Sequence, residues 1–182
     1  MQNETTTRTT EQRKKKKTNS IQSGNSFLWY SLIKLVALGG IVFFVYLSFA
    51  GKGVSGTDFE TMKKGVVAAV DTGAMIEADN QMIKRLYGID PNEYDGVVLY
   101  YPSTNMGAEE VFLAKLKSAE QREEVKAAIE GRLASQKKSF DGYGTNQTEL
   151  LNNSVVRVEG NYALFVVAED PTKASGEFTR LF

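Results

Sequence analysis

The polar residues with the most suggestive spacing are Arg132 and Gln136, four residues apart in a segment of helical character. Residues at this spacing lie one turn apart on one face of a helix, and here that face also carries the apolar stripe. A recessed guanidinium can hold the carboxylate or phosphate of a ligand through two parallel hydrogen bonds. It can instead pair with an internal acid, Glu109 or Glu110, and fix the helix to the sheet. An unpaired buried charge is too costly, so one of the two must hold, and we favour the internal pair.

Glu109 and Glu110, together with Asp95, are the carboxylates that could form the acid pair of a glycosidase. Adjacent acids are also common in turns and caps, and no aromatic platform for a sugar is evident. The chain contains no histidine and no cysteine, which excludes serine–histidine, cysteine–histidine and zinc-water mechanisms. We therefore expect no catalytic residue, no metal and no cofactor.

Two further residues belong to the candidate polar site, which is either a binding site or a structural one. Tyr143 lies in the glycine-rich segment 140–144, which is either a binding loop or a turn that ends a helix. Asn161 follows Gly160 in a two-residue turn suited to positive φ. The candidate site then comprises Arg132, Gln136, Glu109, Glu110, Tyr143 and Asn161.

The elements that must position these residues follow from capping boxes, apolar periodicity and turn signals. Helices are predicted at about 57–70, 74–87, 118–139 and 145–152. Strands are predicted at 96–101, 110–117, 155–159 and 162–168. The short connections within each pair of strands indicate two hairpins. The prediction is an α+β domain with a four-stranded, mostly antiparallel sheet and helices packed on one face, followed by a short tail from residue 171.

An apolar stretch of 24 residues, 27–50, precedes this domain. A helix of about 20 residues crosses a bilayer, so the stretch predicts one transmembrane helix or uncleaved signal-anchor. The basic block 13–17 favours a cytoplasmic N-terminus, and Lys34, the one charge in the stretch, can reach the headgroups. The alternative is a signal peptide cleaved after Ala50, because small residues precede that bond.

The predicted organisation is a disordered basic cytoplasmic leader (1–26), the transmembrane helix (27–50), a linker (51–56) and an extracytoplasmic α+β domain (57–182). The leader has six Lys or Arg against two Glu, a net charge of +4, whereas residues 51–182 have fifteen against twenty acids, a net charge of −5. An acidic domain argues against nucleic acid as a partner. The expected partners are the lipid bilayer, through the helix, and another envelope or membrane protein.

Six short motifs occur in a characteristic order along residues 57–168. They are Tyr87-Gly88-Ile89, Tyr94-Asp95-Gly96, Met106 with Ala108-Glu109-Glu110, Arg132 with Gln136, Phe140-Asp141-Gly142-Tyr143, and Gly160-Asn161-Tyr162. Together they resemble the Gram-positive bacterial family catalogued as domain of unknown function 4358. The resemblance implies a small secreted or membrane-anchored domain with no established activity. Such proteins often carry a lipoprotein cysteine, which this chain lacks.

Three functional hypotheses are compatible with these features. The first is a membrane-anchored extracytoplasmic module that binds or scaffolds a component of the bacterial cell envelope. The second is a histidine-independent envelope enzyme acting on cell-wall or surface polysaccharide. The third is a passive surface spacer or a cleaved secreted protein.

The predicted topology can be tested by adding protease to intact cells that express the chain with a tag at each end. We expect digestion of the domain at 57–182 and protection of residues 1–26, because positive charge is retained on the cytoplasmic side. Immunoblotting of the two tags measures the outcome. Recovery of an intact C-terminal domain from intact cells would reverse the orientation.

Overall fold

The computed structural model describes residues 33–40 and 53–182, and its C-terminal part is built on a five-stranded sheet. The strands are β1 (Met75–Glu77), β2 (Gly96–Pro102), β3 (Glu110–Lys115), β4 (Val155–Glu159) and β5 (Tyr162–Val167). Their spatial order is β1-β2-β3-β5-β4, and every neighbouring pair is antiparallel. β3 and β5 are therefore interior strands, hydrogen-bonded on both sides.

Five helices of the same unit precede, separate and follow these strands along the chain. They are α1 (Phe59–Ala68), α2 (Asn80–Tyr87), α3 (Gln121–Phe140), α4 (Thr145–Asn152) and α5 (Pro171–Leu181). Asp58 and Asp79 cap α1 and α2, because their carboxylates accept hydrogen bonds from the amides of Thr61 and Met82. Gly88 ends α2 with φ 72°, the left-handed conformation that glycine adopts without a steric penalty.

Both faces of the sheet are covered, because the interior strands are apolar at nearly every position. The sequences EVFLAK and YALFVV send alternate side chains to opposite faces. On one face they pack under α2, α3 and α4 with Ile83, Ile129, Phe140 and Leu151. On the other they pack under α1 and α5 with Met62, Val66, Ala174 and Phe178. The prediction that helices lie on one face was therefore wrong, and continuous apolar runs are the pattern expected of strands buried on both faces.

The prediction of four strands was also wrong, because β1 was missed. β1 occupies the first part of the segment predicted as a helix at 74–87, and α2 begins only after the Asp79 cap. A strand of three residues carries too little local pattern to be recognised. It is held by pairing with β2, in which Ile76 lies opposite Tyr101, 25 residues away. The predicted tail, in turn, forms the helix α5.

The segment that leads into the domain is docked on the sheet. Ser55 is 5% exposed, and its amide donates to Oδ1 of Asn161 at 2.9 Å. The carbonyl of Thr57 accepts from the hydroxyl of Tyr162 at 2.9 Å and from Nζ of Lys115 at 3.1 Å. Lys52–Phe182 forms one compact unit, and these bonds fix the point at which the chain enters it.

The structure contradicts the predicted transmembrane helix as an element of the fold. Among residues 33–40 and 53–182, no helix is both long and apolar enough to cross a membrane. Of the stretch 27–50, only 33–40 is described, as a short helix with exposed side chains. The rest of that stretch and the leader 1–26 lie outside the described residues.

Candidate functional site

Glu110, the first residue of the central strand β3, is a carboxylate with no exposed surface. A buried carboxylate is very unfavourable unless hydrogen bonds and an opposite charge replace its lost hydration. Three side chains do so: Arg132, Gln136 and Tyr87. These four residues are called the Glu110 cluster below.

The contacts of the Glu110 cluster are close and directional. Arg132 forms a bidentate pair with the carboxylate, with Nε 3.0 Å from Oε1 and Nη2 2.6 Å from Oε2. Gln136 donates from Nε2 to Oε2 at 2.9 Å, and the Tyr87 hydroxyl donates to Oε1. Two parallel charge-assisted bonds are among the stronger polar interactions in proteins. The Arg132 guanidinium is thus engaged by an internal acid, which is Glu110 and not Glu109.

Three different elements bring the cluster together. Glu110 lies on the same face of β3 as Phe112, because side chains two residues apart share a face. Tyr87, the last residue of α2, stacks on Phe112 with ring centroids 4.3 Å apart, which places its hydroxyl over Glu110. Arg132 and Gln136 reach down from successive turns of α3. The cluster therefore ties α2 and α3 to the centre of the sheet.

The charges in the cluster balance. Burial, reinforced by the charge of Glu110, raises the pKa of Tyr87 well above its usual range, so the hydroxyl remains a donor. Burial alone would lower the pKa of Arg132, but the hydrogen bonds and charge of Glu110 outweigh this effect and raise it. One permanent positive charge faces one carboxylate. One of the two guanidinium edges that could hold a ligand carboxylate or phosphate bidentately, the Nε/Nη2 edge, is consequently occupied.

A groove of about 360 Å³ lies beside the cluster, lined by residues drawn from 82–86, 101–107 and 132–143. We call it the α2–α3 groove. Arg132 and Gln136 both line it, so the cluster supplies part of its wall. Its volume falls within the range of about 300–1,000 Å³ that is typical of small-molecule sites.

The polar groups of the groove are unequally satisfied. Gln136 is only 5% exposed, and because its Nε2 must face the carboxylate, its Oε1 points away and has no hydrogen-bond partner among the described residues. Arg85 of α2 is exposed, and the contact of its guanidinium is with the sulfur of Met82, at 2.8 Å from Nη2. Among the described residues that line the groove, none is acidic. The groove is thus polar and positive.

Aromatic side chains form another part of the groove wall. Tyr143 is 68% exposed, and its hydroxyl donates to the carbonyl of Ser139. Its ring centroid lies 6.1 Å from that of Phe140, and Tyr101 lines the groove from β2. The segment 140–144 therefore both ends α3 and contributes to the groove, to which it supplies aromatic surface.

The remaining predicted carboxylates are not brought together. Glu109 turns away from Glu110, and its Oε2 accepts a hydrogen bond from the amide of Ala108 at 3.0 Å. The amide of Asp95 bonds to the carbonyl of Lys115, at the opposite end of β3. Five residue steps of a strand separate the two ends by about 17 Å. The acid pair considered for a glycosidase is therefore not assembled, since Glu110 is buried and Asp95 is distant.

Glu109 instead borders a separate depression of about 550 Å³, together with Asp71 and Asp170. Asp71 accepts from the amide of Gly73, and Asp170 accepts from that of Thr172, so both carboxylates stabilise their own turns. Within 33–40 and 53–182, no three acidic side chains are placed to hold a metal ion. This depression offers a weaker case for a ligand site than the groove.

Asn161 lies outside both the α2–α3 groove and the depression beside Glu109. It follows Gly160, whose φ is 55°, in the turn between β4 and β5, and it holds the amide of Ser55. Its role in this structure is to anchor the segment that enters the domain. Of the six predicted site residues, the structure groups Glu110, Arg132, Gln136 and Tyr143 around the groove and separates Glu109 and Asn161 from them.

The contributions of Tyr87 and Arg85 were not predicted from the sequence. Tyr87 lies four residues after the apolar Ile83, which is also buried, so helical spacing could have identified it as buried. Its bond to Glu110 spans 23 positions in sequence and depends on the packing of α2 on β3, which no local pattern shows. Nothing in the sequence distinguishes Arg85 from other surface arginines.

Comparison with known proteins agrees with the family resemblance. The family model described as Domain of unknown function (DUF4358) matches residues 68–168, more than half of the chain. No curated protein and no solved structure matches the chain significantly. The match confirms the predicted family, and the Gram-positive origin stays a prediction.

Replacing Arg132 by Met should destabilise the domain by about 3–5 kcal/mol, because it leaves the buried Glu110 carboxylate without its counter-charge. Urea unfolding followed by circular dichroism measures the change. The control is Lys138→Met, an exposed position on the same helix with the same change in net charge. It should alter stability by no more than about 0.5 kcal/mol. An Arg132→Met variant as stable as this control would show that the ion pair contributes little.

Replacing Tyr87 by Phe should make the free energy of unfolding fall less steeply as the pH rises above about 10. A tyrosine whose folded pKa is raised contributes stability that is fully present below its unfolded pKa of about 10 and is lost as pH rises above it. Each such group adds a slope of about 1.4 kcal/mol per pH unit. Burial also raises the pKa of Tyr94 and Tyr162 to about 12, so the Tyr87→Phe variant retains other sources of this slope. Unfolding free energies between pH 9 and 11 isolate the contribution of Tyr87, and identical slopes in both proteins would contradict it.

Proposed function

This chain belongs to the DUF4358 family, a domain family of unknown function, and we propose that its domain is a non-catalytic binding module whose ligand site is the α2–α3 groove. The observation that carries the proposal is the position of the groove over the Glu110 cluster. A cavity of ligand-binding size is lined by Arg132 and Gln136, whose side chains are held in place by a fully buried carboxylate. Side chains fixed in this way need no reordering when a ligand binds, which lowers the entropic cost of association.

The composition of the groove supports small-molecule recognition. It combines aromatic and aliphatic surface from Tyr101, Tyr143 and Leu86 with a few polar groups, as ligand sites usually do. Its walls come from two helices and the connection between β2 and β3. Loops and helix ends mounted on a rigid sheet are common positions for binding residues.

A binding role is favoured over hydrolysis by the chemistry of the same residues. The described residues that line the groove include no carboxylate, and the chain contains no histidine, so these residues supply neither of the usual general bases. Glu110 is shielded from the groove by its bonds to Arg132 and Gln136. The alternative of a histidine-independent enzyme would need its acid–base groups elsewhere on the domain.

The proposed setting of this module is the outer side of the cell membrane, and the support comes from the sequence. A block of positive charge precedes the apolar stretch 27–50, and the domain that follows is acidic overall. Positive charge ahead of an apolar stretch is also the pattern of a secretory signal peptide, the alternative by which the domain would be exported.

The binding role can be tested with small neutral aromatic probes, phenol and benzyl alcohol, added to the full-length chain. We expect amide NMR shifts to change within 82–86, 101–107 and 132–143, because these residues line the groove. Asn105→Trp should suppress the changes, because Asn105 is an exposed groove residue and the indole would fill the space.

The matched control is Asn146→Trp, which adds the same bulk at an exposed position outside the groove. It should leave the shift changes intact. Shifts scattered over the surface, or unaffected by Asn105→Trp, would count against the groove as the binding site.

A further inference from the structure

We infer that the α2–α3 groove recognises an oxyanion, a carboxylate or a phosphate, through Arg85, on a ligand with a planar apolar body. This inference rests on the proposed function and adds the chemical class of the ligand. It places the recognition of the anion on Arg85 and not on Arg132, for which the sequence left ligand binding open as the less favoured of two roles.

Arg132 is unsuited to be the primary anion receptor, because its charge and its Nε/Nη2 edge are committed to Glu110. Its Nε and Nη2 both bond to Glu110, and the positive charge is neutralised by that carboxylate. A ligand anion that displaced Glu110 would leave a buried carboxylate unpaired, which is strongly unfavourable. Arg132 retains the N–H donors of Nη1 and one of Nη2, but its charge is already matched by Glu110.

Arg85 is in the opposite situation. Its side chain is exposed, and the contact of its guanidinium is with the thioether of Met82, a weak acceptor. The neighbouring Lys84, by contrast, pairs with Asp90 at 3.2 Å. Both side chains lie in the last turn of α2, where the helix dipole favours a cation, so the dipole alone does not distinguish them. The distinction is that Arg85 lines the groove and retains most of its five donors for a planar oxyanion.

The electrostatic surroundings of Arg85 favour an anion. No acidic side chain lines the groove among the described residues, and Glu110 is already matched by Arg132. The positive charge of Arg85 is therefore not compensated within the groove. A partly enclosed cavity of this kind attracts anions more strongly than a flat surface does.

The shape of the ligand follows from the aromatic wall. Tyr101 and Tyr143 present ring surface in the same groove, and Leu86 and Met82 add apolar contact from α2. A flat ring can pack against such surface while an attached carboxylate or phosphate reaches Arg85. Benzoate, phenyl phosphate and the neutral isostere benzamide are probes that separate these contributions.

The test measures probe binding to the full-length chain by amide NMR titration. We expect benzoate to bind about tenfold more tightly than benzamide, which corresponds to about 1.4 kcal/mol. Arg85→Gln should abolish this preference, and raising the ionic strength should reduce it in the wild type. Comparing phenyl phosphate with benzoate identifies which oxyanion the groove favours.

The matched control is Lys126→Gln, which makes the same change in net charge at an exposed position on α3 outside the groove. It should keep the preference for benzoate. Equal binding of benzoate and benzamide, or a preference that survives Arg85→Gln, would overturn the inference while leaving the binding role in place. Failure of all three probes to bind in the groove would overturn both.

Discussion

The buried carboxylate of Glu110 is the constraint on which the arrangement of α2, α3 and the central strand depends. Its charge cannot remain in the interior without Arg132, and its Oε1 also accepts a hydrogen bond from the hydroxyl of Tyr87. Buried ion pairs are often no more stabilising than well-packed apolar residues of similar volume, so stability alone does not account for the cluster. Its physical effect is geometric, because its hydrogen bonds can form only when α2, α3 and β3 have this relative position. The same arrangement of these elements forms the groove.

The spacing of residues in the sequence predicted part of this arrangement but not all of it. The i, i+4 relation of Arg132 and Gln136 was enough to place both on the buried face of α3, and an internal acid was expected for Arg132. The sequence could not choose between Glu109 and Glu110, because adjacent strand residues point to opposite faces. The choice is made by the pairing of β3 with β2 and β5, which fixes the face that Glu110 shares with Phe112.

The elements that were missed show two different causes. β1 is three residues long and depends on a distant partner, so its own residues do not encode it. α5 has a clearer local signal, because Asp170 caps it and Pro171 occupies its first turn. This pair of residues is a common start signal for helices. That signal was overlooked. The coverage of the second sheet face by α1 and α5 was consequently missed too.

The docked segment ahead of α1 has a mechanical consequence. The carbonyl of Thr57 accepts hydrogen bonds from Lys115 and Tyr162, which lie opposite each other at one end of the β3–β5 ladder. Glu110 and Val167 form the other end of this ladder. About 17 Å of strand separates the two ends. A pulling force applied to the chain before residue 53 would therefore act first on the hydrogen bonds of Thr57. Because these bonds lie at the far end of the strands, the force would leave the shape of the groove unchanged.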